Sequence, residues 1–328
     1  MSSVPTSRLR VENHLDHGFF ERSLRDDVCA GLQRSPKRLP PKWFYDDRGS
    51  ELFEQITRLS EYYPTEAERS ILRDNADDIA RASGADTLVE LGSGAADKTR
   101  VLLDGLSKTG QLRCFVPFDV SEGILRSSSA ELLNNYPELT IHGVVGDFEN
   151  HLRKIPMEGK KITALLGGTV GNFYPEQRKK FLEDIVAGMK SGDTFLLGTD
   201  LVKAIDRVEL AYNDPYGITA EFNKNVLVVL NERLDANFEV EAFEHVATFD
   251  TVNEWIDIRL RSLKDQDIRI EGLDLDVHFD ENEELETEIS SKFTKEKVAS
   301  ELAAVGLELV EWWTDDRDDY AVSLSRLN

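Results

Sequence analysis

The sequence predicts an α/β fold, a doubly wound open parallel sheet accompanied by a second, smaller α+β domain. Three observations carry that expectation. Apolar runs of strand length alternate with segments of helical periodicity between residues 87 and 201. A glycine turn, Gly92-Ser93-Gly94, directly follows the first of those runs. Beyond residue 201 the alternation stops, and strand-like runs gather between residues 244 and 293.

Taken in chain order, a helix carrying Ile71, Leu72 and Ile79 on one face precedes the sheet. Thr65-Glu66-Ala67-Glu68 reads as the capping box that starts it, and Gly84 ends it. The predicted strands are residues 87–91, 114–118, 140–145, 162–166 and 194–198, short apolar runs of the kind a parallel sheet buries on both faces. Between the last two, a crossover helix is expected over 175–190, with Pro175 in its first turn. Phe181, Leu182, Ile185 and Met189 fall at helical spacing, and Gly192 lies just past its end. A helical stretch within 206–230 then precedes strand-like runs in 244–263, 273–279 and 285–293. The chain closes with a helix capped by Thr294 and two strands, 307–313 and 320–324. These elements suggest a tail over residues 1–20, a second domain built from 21–62 and 203–285, and a sheet domain over 63–202 to which 286–328 returns.

Composition narrows the function. The 39 basic residues against 62 acidic ones leave a formal charge of −23, which repels nucleic-acid phosphates. No stretch approaches the roughly 20 apolar residues of a membrane span, and the first ten residues lack a signal-peptide core. A cytoplasmic monomer acting on a small molecule is the expectation. Cys29 and Cys114 are too few for a disulfide framework and read as buried free thiols. The six histidines lack metal-ligand spacing, so no metal is expected.

The glycine turn admits three ligands. A dinucleotide fingerprint needs a third glycine where Asp97 stands, and an acid at that helix start opposes a diphosphate. A phosphate-binding P-loop fails at the same residue, because residues 92–99 read G-S-G-A-A-D-K-T. S-adenosylmethionine (SAM) carries no phosphate and tolerates the acid. Asp119, at the end of the second strand, is placed to hold a ribose diol. Asp147 and Phe148, after the third, offer a carboxylate and a ring to an adenine.

Lys42-Trp43-Phe44-Tyr45-Asp46, Glu61-Tyr62-Tyr63-Pro64-Thr65, residues 89–94, residues 198–203 and Thr287-Glu288-Ile289-Ser290-Ser291-Lys292-Phe293 then share an order and spacing. In these motifs the chain, from about Leu15 to its end, resembles the L-histidine Nα-methyltransferases of ergothioneine biosynthesis. The resemblance implies a class I, Rossmann-like SAM methyltransferase that trimethylates the α-amine of L-histidine to hercynine. It further implies that Gly92, Lys98, Asp119, Asp147 and Phe148 contact SAM. Tyr62, Asn172 and Tyr212 would surround the amino acid's carboxylate and amine, Glu288 and Ser290 would face imidazole, and Tyr45 would lie near the methyl-accepting nitrogen. Glu288 and Ser290 alternate with Ile289, so on a strand they share a face. One departure stands out: at Ile258 histidine-specific relatives often carry methionine. This keeps open an Nα-methyltransferase for another aromatic amino acid, such as tryptophan or a tyrosine derivative. A non-catalytic small-molecule binding homologue is the alternative of another class.

Overall fold

A computed structural model describes residues 8–94 and 97–328. In chain order it begins with β1 (Leu9–Asn13), α1 (Phe19–Leu32), β2 (Lys37–Arg38), α2 (Asp47–Ile56) and α3 (Pro64–Ser83). The alternating section follows: β3 (Thr87–Leu91), α4 (Asp97–Lys108), β4 (Cys114–Asp119), α5 (Glu122–Asn135), β5 (Thr140–Val145), β6 (Lys161–Leu165), α6 (Pro175–Ala187) and β7 (Thr194–Asp200). Then come α7 (Ile205–Tyr212), α8 (Ile218–Leu234), β8 (Phe243–Asp250), β9 (Trp255–Ser262), β10 (Gln266–Ile270), β11 (Leu275–Phe279) and β12 (Glu284–Ser291). The last elements are α9 (Lys295–Ala303), β13 (Leu307–Thr314) and β14 (Tyr320–Leu327).

The chain divides into two compact units. Among the described residues, the first comprises 8–15, 64–94, 97–201 and 293–328, and the second 16–63 and 202–292. Among the described residues, the first unit holds an eight-stranded sheet in the order β1-β5-β4-β3-β6-β7-β14-β13. Strands β1 to β7 within it are parallel, while β14 runs antiparallel to β7 and β13 antiparallel to β14. All of β3 is buried, with Leu88 packed in one apolar cluster and Val89 and Leu91 in another. That is the period-two signature of a strand covered on both faces. Because β3 pairs with β4 on one side and β6 on the other, the strand order reverses there, and a crevice opens at the carboxyl ends of those strands.

Three expectations are corrected. Residues 9–13 are not tail but an edge strand. Their backbone pairs with β5, and Arg8 donates to the carbonyls of Leu133, Tyr136 and Pro137 at the end of α5. The chain rejoins the first unit at Phe293, not at 286, because β12 stays bonded to β9 as far as Ser291. The start of α3 is no capping box: Pro64, whose fixed φ suits a first turn, opens the helix, and the Glu68 carboxylate is drawn inward to other partners.

In the second unit β12 is flanked by β2 and β9, with β8 outermost. The burial of β9 alternates strictly, and Ile256, Ile258 and Leu260 point inward. Helices α1, α2 and α8 contribute Leu24, Val28, Leu52, Ile56, Val226 and Leu230 to a common core with Phe243 and Leu285. Each such side chain, fully buried, contributes about 1.5–3 kcal/mol. Cys29 and Cys114 are free, and both are half-buried rather than buried. No helix among the described residues is long and apolar enough to cross a membrane.

Candidate active site

On the first unit, β3 delivers the chain into the glycine turn. Gly92 adopts φ 71°, a left-handed conformation that glycine takes without strain, with Phe148 at ordinary contact distance beside it. Asp119, at the end of β4, closes the turn from beside it: its carboxylate accepts from Gly94 N–H at 3.2 Å and Ser121 N–H at 2.9 Å. Burial raises its pKa above the usual carboxylate range. The Phe148 ring stacks on Phe118 at 5.8 Å and meets Phe181 edge-on at 5.5 Å. Asp147 accepts from the backbone of Glu149 and Asn150, with His151 Nδ1 2.6 Å from its second oxygen. Gly92, Asp119, Asp147 and Phe148 are thus carried by the ends of three adjacent strands, β3, β4 and β5. The Asp97 side chain, on which the argument against phosphate ligands turned, lies outside the described residues, as do residues 95 and 96.

Lys98 stands on the first turn of α4, and its ammonium is held 2.5 Å from Oε2 of Glu68. Glu68 is the residue that sequence reasoning missed here. Wholly buried, its carboxylate accepts from Gly167 N–H with both oxygens (2.8 and 2.9 Å) and from the Tyr320 hydroxyl at 2.8 Å. The signal was present, since Glu68 lies three and four residues before Ile71 and Leu72, on the apolar stripe of α3. Glu90, one residue pair behind the turn, is buried beneath α4 and bonded to the Thr99 hydroxyl. Burial pushes its pKa up to about 7 against the opposing effects of Thr99 and Lys98, with Glu68 and Asp119 adding to the rise. Asn172 ends a short 3-10 turn, Thr169–Asn172, after β6 and therefore on the other side of the same crevice.

On the second unit, the remaining residues share one neighbourhood. Glu288 and Ser290 on β12 lie directly opposite Ile258 and Ile256 on β9, which puts all four on one sheet face. Tyr212, at the end of α7, brings its hydroxyl within 2.8 Å of Ser290 Oγ, and Tyr62 meets its ring edge-on at 6.0 Å. Tyr45 packs edge-on against Phe53 and Phe222. Its residue surface is 47% exposed, and the rings packed against it partly desolvate the phenol. That desolvation, followed by Glu288, Tyr62 and Tyr212, raises its pKa well above the ordinary value of about 10, so Tyr45 keeps its proton.

Buried amides and a histidine fix these rings. Asn225 donates to Phe44 O (3.0 Å) and Asp46 Oδ1 (2.8 Å), pinning the backbone on both sides of Tyr45. His245 Nε2 lies 2.8 Å from Tyr212 O while Asn223 Nδ2 lies 2.9 Å from Nδ1, a pattern that fits a neutral ring donating from Nε2. Burial lowers the pKa of His245, in keeping with that state. Lys292, also missed from sequence, donates to Ser290 Oγ and Tyr212 Oη. It shares strand parity with Glu288 and Ser290, which was its legible sign.

The chain as a whole is similar to one set of known proteins. A family model described as histidine-specific methyltransferase, SAM-dependent, matches residues 24–327. The chain belongs to that family. Among similar members, the histidine N-alpha-methyltransferases of Mycobacterium tuberculosis and Mycolicibacterium smegmatis are each 50% identical to it, over 97% of this chain and 99% of theirs. Ergothioneine biosynthesis protein 1 of Schizosaccharomyces pombe is 34% identical over 67% of this chain and 30% of its own length. The family is SAM-dependent, and among the described residues no group of histidine, cysteine and carboxylate side chains could hold a metal ion.

Proposed function

We propose that this methyltransferase transfers three methyl groups, one from each of three SAM molecules, to the α-amine of L-histidine and releases hercynine. Near-full-length likeness to two histidine N-alpha-methyltransferases supports the reaction. The observation that carries the substrate is the common face of Glu288 and Ser290, a carboxylate and a hydroxyl of the kinds that bond the two nitrogens of one imidazole. A site built for such bonds rejects apolar rings by leaving its own groups unpaired.

SAM fits the first unit's residues: a left-handed glycine turn at Gly92, a carboxylate at the end of β4 for the ribose, and Asp147 beside Phe148 for the adenine. Gly92, Asp119, Asp147, Phe148 and Lys98 would hold it, Lys98 while shared with Glu68. When bound, it supplies an electrophilic methyl group. The chain's own residues then align the acceptor. On the second unit Tyr62 and Tyr212 hold the carboxylate and amine, and Tyr45, kept as a neutral phenol, orients the amine lone pair for in-line attack rather than acting as a strong base. Each new ammonium loses its proton before the next transfer.

Ile258 favours a second reading within the same class. Branched and buried opposite Glu288, it gives the ring pocket a stiffer wall than methionine would, and a tryptophan-derived amino acid is then the rival acceptor. Incubating the pure protein with SAM and each amino acid, and weighing the products by mass spectrometry, separates the readings. Three methyl groups added to histidine alone are expected. Transfer to tryptophan or tyrosine instead selects the rival, and no transfer to any amino acid ends both.

A further inference from the structure

Lys292 is 0% exposed, and burying a lysine side chain is costly unless its amine finds partners. Its backbone is anchored by N–H donation to Glu254 O at 2.7 Å. Nζ donates to Ser290 Oγ at 2.8 Å and to Tyr212 Oη at 3.1 Å, and these two oxygens are themselves 2.8 Å apart. The ammonium also sits 4.6 Å from the centre of the Tyr212 ring. One buried cation therefore fixes two hydroxyl-bearing side chains that belong to the two ends of the proposed substrate.

We propose that Lys292 is a positioning residue that supplies the positive charge for recognition of the amino acid's carboxylate, acting through Tyr212. This rests on the histidine reading. A phenol whose oxygen accepts from a cation is polarised, and its own proton becomes a stronger donor towards an anion. Tyr212 thus presents to a carboxylate more than a neutral hydroxyl would, while Lys292 stays out of reach of solvent. The same ammonium holds Ser290, so carboxylate and imidazole recognition share one support. An acceptor in which a neutral carboxamide replaces the carboxylate gains little from this polarisation.

The test measures dissociation constants of L-histidine and L-histidinamide by calorimetry at saturating S-adenosylhomocysteine, for the full chain and for Lys292→Met. Losing a charge-assisted bond is expected to weaken histidine roughly 10- to 100-fold and histidinamide by less than about threefold, so the preference between them collapses. In turnover the change should fall on the KM for histidine, with kcat moving less. Should Lys292→Met fail to fold, Tyr212→Phe, which removes the relaying hydroxyl, must reduce the same preference. Equal losses for both ligands, or an unchanged preference in Tyr212→Phe, overturn the proposal while leaving histidine methylation standing. A native protein that methylates no histidine overturns the reading beneath it, and the proposal with it.

Discussion

The two units hold their ligand groups by opposite electrostatic means. Around the glycine turn of the first, acids predominate: buried Glu68 and Glu90 and half-buried Asp119, with Lys98 tied to the first of them. On the β12 face of the second, two hydroxyls are gathered by a buried ammonium, with Glu288 set along the same strand. The difference teaches what each surface can accept. Acids beside backbone amides favour a sulfonium and reject phosphates, whereas cation-polarised hydroxyls next to a carboxylate favour a zwitterion with a basic ring.

The contrast is broken most severely at Glu68. Glu68→Gln should lower stability by about 3 kcal/mol, the low end for breaking a buried pair because Lys98 keeps 28% of its side chain exposed. Urea unfolding checks this, and calorimetry with S-adenosylhomocysteine should show weakened binding. An unchanged affinity would show that Glu68 supports only the fold.

Glu90 gives the pH signature. Its folded pKa of about 7 exceeds the unfolded value, so the folded state binds the extra proton, and the resulting stability is full below about pH 4.5. It fades as pH rises through 7. Relative to Glu90→Gln, the native protein should therefore lose up to about 3 kcal/mol between pH 4.5 and 8. Parallel pH dependence of the two melting temperatures would refute the shift.

On the second unit, Glu288→Gln keeps the shape but removes the charge facing imidazole. It should cut kcat/KM for histidine roughly 10- to 100-fold, without change in S-adenosylhomocysteine affinity. The smallest effect is expected at Tyr45. Tyr45→Phe should alter the proportions of mono-, di- and trimethylated histidine seen by mass spectrometry, and an identical series would remove Tyr45 from the orientation of the amine.

Much of the sheet was legible because its strands are buried on both faces and read as continuous apolar runs: Thr87–Leu91 and Thr140–Val145 appear at the residues predicted. The Thr294 cap also forms, accepting from Lys297 N–H at 3.2 Å. The stretch at 206–230 is instead two helices, because Asp214 folds its carboxylate onto the N–H groups of Tyr216, Ile218 and Thr219 and starts the second. Residues 266–270 escaped because a five-residue strand with Asp267 and Arg269 on its exposed side has too little apolar content to stand out. The site was legible where chemistry sits at strand ends, as at Asp119 and Asp147. It was marked only faintly, by helix stripe or strand parity, where a charge is buried for the sake of another residue. Glu68 and Lys292 look like ordinary surface charges until the long-range partners Gly167, Tyr320 and Tyr212 are brought up to them.

The place of β14 in the first sheet also bears on synthesis. It lies between β7 and β13, so an interior position of the sheet is filled by residues 320–327. Until this segment is in place β7 presents an open, apolar edge, whereas the strands of the second unit are all encoded before residue 292. Loss of residues 320–327 would therefore remove an internal strand of this sheet rather than a fringe.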